Sequence, residues 1–425
     1  PLTSFRFLHA ADIHLDSPLK GLAGQQGNAA ERVRTATREA LDQLVGLAIE
    51  EKVDFLVIAG DLYDGDWRDY KTGLFFAGQM GRLNNVGINV YLLYGNHDAE
   101  SQITRRLDLP GNVKVFGTRK PETFELANLQ VALHGQSFRQ RDITDNLVLD
   151  YPAPVSDLFN IGVLHTGLGG MGGHANYAPC SLGDLTNKGY DYWALGHVHQ
   201  AGVLHERPHV VFPGNLQGRH VRETGAKGAY LVSVEDREIT DLASVACDVV
   251  RWTVRSVPLT GAGSLGEVIG LVREALVSAV AEEAGGRLLA CRIKLEGQTE
   301  LHSQLVASED LVLAEARASA LGLGDEIAWV EKVLIATRPT VDLQTLAERE
   351  DAIGELQRLL KEAAQDNGLR AHIDGDIGEL VRHLPHEVRA NIDDPVLRSA
   401  IDGDYAGLIG HVAPYLSARL AAQKD

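Results

Sequence analysis

The 425-residue sequence has few cysteines and no long apolar run. Its three cysteines, Cys180, Cys247 and Cys291, are far apart, and none has the CxxC spacing of a redox or zinc motif. So few thiols exclude a disulfide framework and indicate a reducing compartment. The apolar runs fall far short of the roughly 20 residues that a membrane-spanning helix needs. The N-terminal residues show no signal-peptide pattern, so we expect a cytoplasmic protein that does not bind a membrane.

Basic residues are also scarce relative to acidic ones. The chain has 40 Lys and Arg residues against 58 Asp and Glu residues, which gives a net charge of -18. This balance argues against binding nucleic acid through overall charge. It does not exclude local binding, because bound divalent ions can supply a positive field. Arg219, His220 and Arg222 are candidates for contact with substrate phosphates, and the alternative is that they are solvated surface residues.

Apolar runs that end in His, Asp or Asn are abundant. One such run, "WALGHVH", ends in His197 and His199. Four others, "FRFLHAADIH", "DFLVIAGDLYD", "INVYLLYGNHD" and "NIGVLH", end in Asp12 and His14, in Asp61 and Asp64, in Asn96, His97 and Asp98, and in His165. A single run of this kind often only caps a turn. Five in series predict strands buried on both faces, with their polar ends gathered at one carboxyl edge of a layered α/β fold.

These polar ends have the chemistry of a metal site. Carboxylate and amide oxygens mixed with imidazoles, without thiolates, suit Mn²⁺, Fe²⁺ or Zn²⁺ better than a soft metal. About seven ligands are too many for one tetrahedral ion, but they suit two ions about 3.5–4 Å apart that clamp a phosphate ester. His97 directly follows Asn96, so it is free to act as an acid beside the ions. Asp64 and Asp98 are expected to orient imidazoles.

The chain divides into three segments. Residues 1–246 alternate apolar runs with helical patterns, and residues 247–338 follow the order strand, helix, strand, helix, strand. Residues 339–425 are acidic and predict helices over about 343–365, 374–384, 393–401 and 403–422. We therefore predict a catalytic domain, a small α/β domain and a helical C-terminal region. The apolar face of the first of these helices must be buried on the chain's own body, on a second copy or on a partner.

The motifs resemble a known family. "DIH", "GDLYD", "GNHD", "VLHTG" and "GHVH" match, in order, the five motifs of the calcineurin-like metallophosphoesterases. Their wider context resembles the bacterial SbcD-type DNA repair exonuclease subunits, and "VVFPGNLQGRHVRETGAKGAYLVSVE" is most similar to the YhaO-like branch of that group. The resemblance implies a four-layer αββα sandwich with a small α/β capping domain and a helical C-terminal region.

The resemblance also implies a ligand scheme. One ion would be bound by Asp12, His14, Asp61 and His199, and the other by Asp61, Asn96, His165 and His197. His97 would be the catalytic histidine. Manganese is the implied metal, with Fe²⁺, Zn²⁺ and Mg²⁺ as alternatives, and an SMC-like coiled-coil ATPase is the implied partner. Asp16 departs from the "HLG" pattern that is common in the nuclease subunits, so we expect an extra carboxylate at the site.

Three functions are compatible with these residues. The leading one is a two-metal phosphodiesterase that hydrolyses DNA, as an exonuclease or an endonuclease. A small-molecule phosphodiesterase or phosphatase is the second, and a non-catalytic scaffold with structural metals that recruits a partner ATPase is the third. The complete ligand set together with His97 argues against the scaffold. The two additional segments favour a polymeric substrate, because a small phosphoester needs less surface.

Overall fold

The computed structural model describes residues 3–17, 28–64, 70–100, 108–170, 176–324, 326–340, 347–363, 365–383 and 395–422. The chain forms two compact units. The first unit contains Pro1–Thr253, Ala281–Ala290 and Asp325–Ile327. The second contains Val254–Val280, Cys291–Gly324 and Ala328–Asp425. The division into three domains at residues 246 and 338 stays a prediction.

The first sheet of the first unit has six strands. They are β1 (Ser4–Ala10), β2 (Phe55–Ala59), β3 (Asn89–Leu93), β4 (Val113–Val115), β11 (Gly228–Glu235) and β12 (Glu238–Ala246). Their order in the sheet is β12-β11-β1-β2-β3-β4. β1 to β4 are parallel, whereas β11 is antiparallel to both of its neighbours. The carboxyl ends of β1, β2 and β3 therefore meet at one edge.

The second sheet also has six strands. They are β5 (Glu122–Leu126), β6 (Val131–Gly135), β7 (Phe159–His165), β8 (Tyr192–Gly196), β9 (Gly202–Glu206) and β10 (His209–Phe212). Their order is β5-β6-β7-β8-β10-β9. The four inner strands are parallel, and both edge strands are antiparallel to their neighbours. β7 and β8 end on adjacent positions of this sheet.

Aromatic and aliphatic side chains fill the space between the two sheets. The rings of Phe7 and Phe55 are stacked with centroids 5.0 Å apart, and Tyr192 of the second sheet meets Phe7 edge-on. Alternate strand residues face outward, as the period of two requires. On the first sheet they pack against two helices, α1 (Asn28–Glu50) and α2 (Tyr70–Asn85).

Short elements pack on the outer face of the second sheet. Trp193 lies there in a cluster with residues of the 3₁₀ turn Leu147–Asp150 and of the short helix α4 (Leu182–Thr186). A further short helix, α3 (Asn96–Glu100), begins directly after β3. The predicted sandwich of two sheets flanked by helices is confirmed.

The second unit is built on a three-stranded sheet in the order β13-β14-β15, and the first few residues of β13 and β14 are assigned to the first unit. Its elements are β13 (Val250–Pro258), α5 (Leu265–Ala279), β14 (Leu288–Thr299), α6 (His302–Ala307), α7 (Glu309–Leu321) and β15 (Ala328–Pro339). The order agrees with the strand and helix pattern of the sequence, except that the second helix is split at Ser308. Its core includes Val272 of α5 and Ala316 of α7.

The helical C-terminal region belongs to the second unit. Its helices are α8 (Ala352–Ala363), α9 (Asn367–Arg382), α10 (Pro395–Ile401) and α11 (Tyr405–Ala422). α11 packs against α6 and α8, and its residues Tyr405 and Ala413 are buried. Among the described residues, no helix combines the length and apolar composition that a membrane span requires.

Candidate metal centre

The polar residues that follow five strands come together at one edge of the sandwich. Three of these strands belong to the first sheet and two, β7 and β8, to the second. The amide of His197 donates to the Asp12 carboxylate (2.9 Å to Oδ2), which joins the two sheets at this edge. The structure brings together all seven predicted ligands, Asp12, His14, Asp61, Asn96, His165, His197 and His199, and all of them except His199 are buried.

Asp12, His14 and His199 form what we call the first half-site. The Nε2 atoms of His14 and His199 face each other at 3.2 Å, and Nε2 of His199 lies 3.9 Å from Oδ1 of Asp12. One ligand atom from each residue falls within a sphere small enough for a single ion, since all lie within 4.8 Å of one another. Burial is the main cause that lowers the pKa of His14 to about 3, so its ring is neutral and its lone pair is available.

Asn96, His165 and His197 form the second half-site. Nε2 of His165 lies 3.0 Å from Oδ1 of Asn96, and the rings of His165 and His197 have centroids 5.2 Å apart. Asp61 lies between the half-sites, because its Oδ2 is 3.3 Å from Nε2 of His165 and 3.9 Å from Nε2 of His14. This is the position that a bridging carboxylate requires.

The donor atoms fit two divalent cations. Ligand bonds of about 2.1 Å place neighbouring donors of one ion about 3 Å apart and opposite donors about 4 Å apart, which is the range observed. Burial raises the pKa of Asp12 to about 7, because the carboxylate is removed from water and lies near the charge of Asp61. A cation supplies the missing counter-charge.

Four of the ligand residues have a backbone conformation that residues other than glycine rarely adopt. The φ angles are 50° for Asp12, 45° for His14, 53° for Asp61 and 101° for His197. Non-glycine residues with positive φ are uncommon and cluster at functional sites, where the surrounding structure imposes them. The backbone after these strands therefore keeps an unfavourable conformation, which orients the ligand side chains.

Glycines next to the ligands are required by close packing. A Cβ on Gly95 would overlap the Asp61 carboxylate and the His165 ring. A Cβ on Gly196 would overlap the backbone carbonyl of Ala59 in the other sheet. The glycine in each of these motifs thus leaves room for atoms of a neighbouring strand or loop.

His97 and Asp64 form a pair beside the half-sites. Nδ1 of His97 lies 3.0 Å from Oδ1 of Asp64, and the His97 side chain is 27% exposed. Burial lowers the pKa of His97, but the charges of Asp61 and Asp64 outweigh it and raise the pKa to about 9 in the metal-free protein. Cations in the half-sites would lower this value. Because Nδ1 of His97 contacts Asp64, Nε2 is the ring nitrogen that could contact a substrate.

Asp64 also supports the first half-site. Its Oδ1 lies 3.7 Å from Nδ1 of His14, and the Ser17 hydroxyl donates to its Oδ2 at 2.6 Å. His14, Asp64 and His97 could themselves hold an ion by their spacing. We assign them a supporting role instead, because the opposite nitrogen of His14 already faces His199.

Asp98 and Asp16 make contacts that the sequence analysis did not anticipate. Asp98 accepts hydrogen bonds from the backbone amides of Leu62, Tyr63 and Gly95, at 2.8 to 3.1 Å. It thus fixes two ligand-bearing loops, and its predicted action on an imidazole stays a prediction. The Asp16 carboxylate, which we expected at the site, is bound by the guanidinium of Arg38 (2.7 Å from Nε) and so is already paired.

Of the three residues considered for phosphate contact, Arg219 reaches the centre. Its Nη1 lies 3.3 Å from the Ser17 hydroxyl and 3.9 Å from Oδ2 of Asp64, and its side chain is 16% exposed. Arg222 is exposed, and the His220 side chain is 45% exposed. Glu223, which no sequence motif singled out, hydrogen bonds to His199 and so belongs to the centre as well.

Two regions of the sequence match known protein families. Residues 5–201 match the calcineurin-like phosphoesterase family, and residues 252–338 match the middle domain of the metallophosphoesterase YhaO. The uncharacterized metallophosphoesterase YhaO of Bacillus subtilis (strain 168) is 37% identical over 277 residues, which are 64% of this chain and 68% of that protein.

Two solved structures that match part of the chain have low sequence identity and low TM-scores. A dimetal phosphatase from Danio rerio is 13% identical, with a TM-score of 0.34, over 57% of this chain and 97% of its own. The protein TT1561 of Thermus thermophilus is 14% identical, with a TM-score of 0.33, over 57% of this chain and 99% of its own. Calcineurin-like phosphoesterases use two divalent metal ions. Given the family match and the YhaO relative, this chain belongs to the calcineurin-like metallophosphoesterases, which are metal-dependent hydrolases of phosphoester bonds.

Proposed function

We propose that the chain is a two-metal phosphodiesterase that hydrolyses DNA and prefers Mn²⁺. The observation that carries the phosphodiesterase part of the proposal is the His97–Asp64 pair, which lies beside the first half-site and Asp61 without being one of the seven predicted ligands. Bound divalent ions polarise phosphoryl oxygens and lower the pKa of water. The residues of the chain must then supply a proton, orientation and contacts to the phosphate.

His97 supplies the proton. An alkoxide leaving group of a phosphodiester is a strong base, so a positioned acid accelerates its departure by about 10²- to 10⁴-fold. Asp64 accepts from Nδ1 of His97 and so holds the ring with Nε2 towards the leaving oxygen. The Ser17 hydroxyl, which donates to Asp64 at 2.6 Å, fixes the carboxylate in turn.

Arg219 contacts a non-bridging phosphate oxygen. Its guanidinium lies beside Ser17 and Asp64 at the first half-site, and its side chain is 16% exposed. A planar, partly exposed guanidinium suits an anionic oxygen. His220 and Arg222 are assigned no such contact, because both are exposed to solvent.

Two features favour DNA over a small ester. The motifs resemble those of the SbcD-type DNA repair nucleases, and the chain carries a second unit that contributes none of the predicted ligands. Oxygen and imidazole ligands favour Mn²⁺, with Fe²⁺, Zn²⁺ and Mg²⁺ as alternatives. A small-molecule phosphodiesterase or phosphatase is the second candidate, since the half-sites and His97 would serve that reaction equally. A non-catalytic scaffold leaves His97 without a role.

The test is incubation of the purified protein with labelled single-stranded and double-stranded DNA in Mn²⁺, Mg²⁺ or chelator. We expect cleavage in Mn²⁺, weaker cleavage in Mg²⁺ and none in chelator. His97→Ala and Asp61→Asn proteins, purified in parallel, exclude a contaminating nuclease. Turnover of bis-p-nitrophenyl phosphate without cleavage of either DNA would assign the chain to small esters and overturn the DNA proposal.

A partner protein is also proposed. The resemblance implies an SMC-like coiled-coil ATPase, and Leu359, Leu369 and Leu380 of the helical C-terminal region are exposed, by 52%, 39% and 61%. A second copy of the chain is the competing occupant of these apolar residues. Light scattering of the purified chain, alone and mixed with such an ATPase, distinguishes a homodimer from a heterocomplex.

A further inference from the structure

Glu223 is a buried carboxylate at the back of the first half-site. Its side chain is 6% exposed, and its Oε1 accepts from Nδ1 of His199 at 2.7 Å. Its Oε2 accepts from the side-chain amide of Asn215 at 3.0 Å and from the backbone amide of Arg219 at 2.7 Å. Both oxygens are thus engaged, so the carboxylate is fixed in place.

The contact determines which nitrogen of His199 is available. A carboxylate on Nδ1 requires the proton to be there, and the lone pair is then on Nε2. Nε2 of His199 is the atom that faces Nε2 of His14 at 3.2 Å in the first half-site. A carboxylate behind a ligating imidazole orients the ring and strengthens its bond to a metal.

The second half-site is supported differently. Nδ1 of His165 donates to the backbone carbonyl of Ala59 at 2.9 Å. A carbonyl fixes the same tautomer, but it carries no net charge. An anionic residue therefore backs His199 of the first half-site, and a neutral group backs His165 of the second.

We infer that Glu223 is a positioning residue for the first half-site. It acts on the metal only through its hydrogen bond to His199. The inference rests on the two-ion site of the proposed function. Removal of the charge in Glu223→Gln should lower the affinity for one of the two manganese ions about 10- to 100-fold. The affinity for the other ion should stay unchanged. Hydrolysis falls as a consequence, because one ion is missing at working concentrations.

A merely structural role for Glu223 predicts something else. Through Asn215 and Arg219 the carboxylate also holds the loop after β10. Asn215→Ala removes a loop contact of Glu223 without touching its contact with His199. If Glu223 only holds the loop, Asn215→Ala and Glu223→Gln should weaken metal binding alike. If it positions His199, Asn215→Ala should bind both ions as the wild type does.

The decisive experiment is calorimetric titration of the full-length, metal-free protein with MnCl₂. Wild type, Glu223→Gln, His199→Ala and the double variant form a thermodynamic cycle. We expect Glu223→Gln to weaken one class of site, and to have no further effect in the His199→Ala background. Losses that add in the double variant, or equal losses at both sites, would overturn the inference.

Two controls keep the outcomes separate. Thermal unfolding of each metal-free variant shows whether the fold is intact, and an unfolded Glu223→Gln protein would assign the residue to the fold and contradict the inference. Glu223→Asp, which keeps the charge, should recover part of the lost affinity. If the wild type itself binds fewer than two ions, the two-metal function fails, irrespective of Glu223.

Discussion

Nδ1 of His9 lies 3.0 Å from the Tyr192 hydroxyl, and this contact joins the first sheet to the second inside the aromatic core. Nε2 of the same ring donates to the carbonyl of Leu195 at 3.1 Å. His9 precedes the first metal motif, yet it is a structural residue whose two nitrogens are both used. Burial lowers its pKa to about 3, so it stays neutral in the folded protein.

This shift predicts a pH dependence of stability. The folded pKa lies below the unfolded value of about 6.5, so the contribution of His9 is present above pH 6.5 and is lost as the pH falls towards 3. His9→Gln should destabilise the protein at pH 7.5, and the gap to wild type should narrow by about 1 kcal/mol at pH 5.5. Urea unfolding of the metal-free proteins at both pH values measures the gap. A gap independent of pH would contradict the assignment.

His97→Ala should separate metal binding from turnover. We expect both ions to be retained and turnover of bis-p-nitrophenyl phosphate to fall by about 10²-fold or more, because the acid is lost while the ligands stay. Asp64→Asn should act in the same direction with a smaller loss. Elemental analysis and the hydrolysis assay measure the two effects.

The matched control for His97→Ala is His134→Asn. His134 is buried and hydrogen bonds to Thr123 and Asn160 in the second sheet, away from the half-sites. Its replacement should leave turnover per folded molecule unchanged. Equal loss of metal and activity in His97→Ala would mean that His97 is a ligand after all.

Metal removal should lower stability. Asp12 and Asp61 are both buried at the half-sites, and a bound cation neutralises them. The melting temperature should therefore rise with MnCl₂ concentration, by an amount that corresponds to about 2.7 kcal/mol at 100 times the dissociation constant. Differential scanning calorimetry measures the rise. In Asp61→Asn the rise should be largely absent, and a full rise there would place the ions elsewhere.

Arg219→Ala should weaken substrate binding. If its guanidinium contacts a phosphate oxygen, its loss should raise KM for bis-p-nitrophenyl phosphate about tenfold, which corresponds to about 1.4 kcal/mol. Both ions should stay bound, because Arg219 is not a ligand. Arg222→Ala, an exposed neighbour, should behave like the wild type. Steady-state kinetics with metal analysis checks this, and an unchanged KM in Arg219→Ala would refute the contact.

Ala413→Asp should destabilise the second unit. Ala413 is 6% exposed in α11, which packs against α6 and α8. A buried, unpaired carboxylate costs several kcal/mol, so a thermal transition should move to lower temperature. Metal stoichiometry should stay at two, because the ligands are all in the first unit. Normal stability of Ala413→Asp would show that α11 is not packed in solution.

Local sequence patterns predicted the parts of the site that depend on local structure. Each ligand follows an apolar run, and a buried parallel strand delivers its carboxyl end to the same sheet edge as its neighbours. The position of His97 directly after Asn96 likewise indicated a separate role. For these residues the order along the chain and the strand direction are sufficient.

Contacts between segments that are distant along the chain could not be predicted from local sequence patterns. Glu223 reaches His199 because an irregular loop brings it there. The spacing of apolar residues does not predict the course of such a loop. The pairing of Asp16 with Arg38 depends on how α1 lies against the strand end. The helix predicted from residue 374 begins at Asn367, because the Asp366 carboxylate caps the amides of Gly368 and Leu369.

Each half-site takes ligands from both sheets. His14 comes from the first sheet and His199 from the second, just as Asn96 and His165 do. A bound ion would therefore cross-link the two sheets, and the thickness of the aromatic layer that contains Phe7 sets how closely the ligands of the two sheets approach each other. A change of side-chain volume in this layer would therefore alter the geometry of both half-sites while every ligand and every motif stays intact.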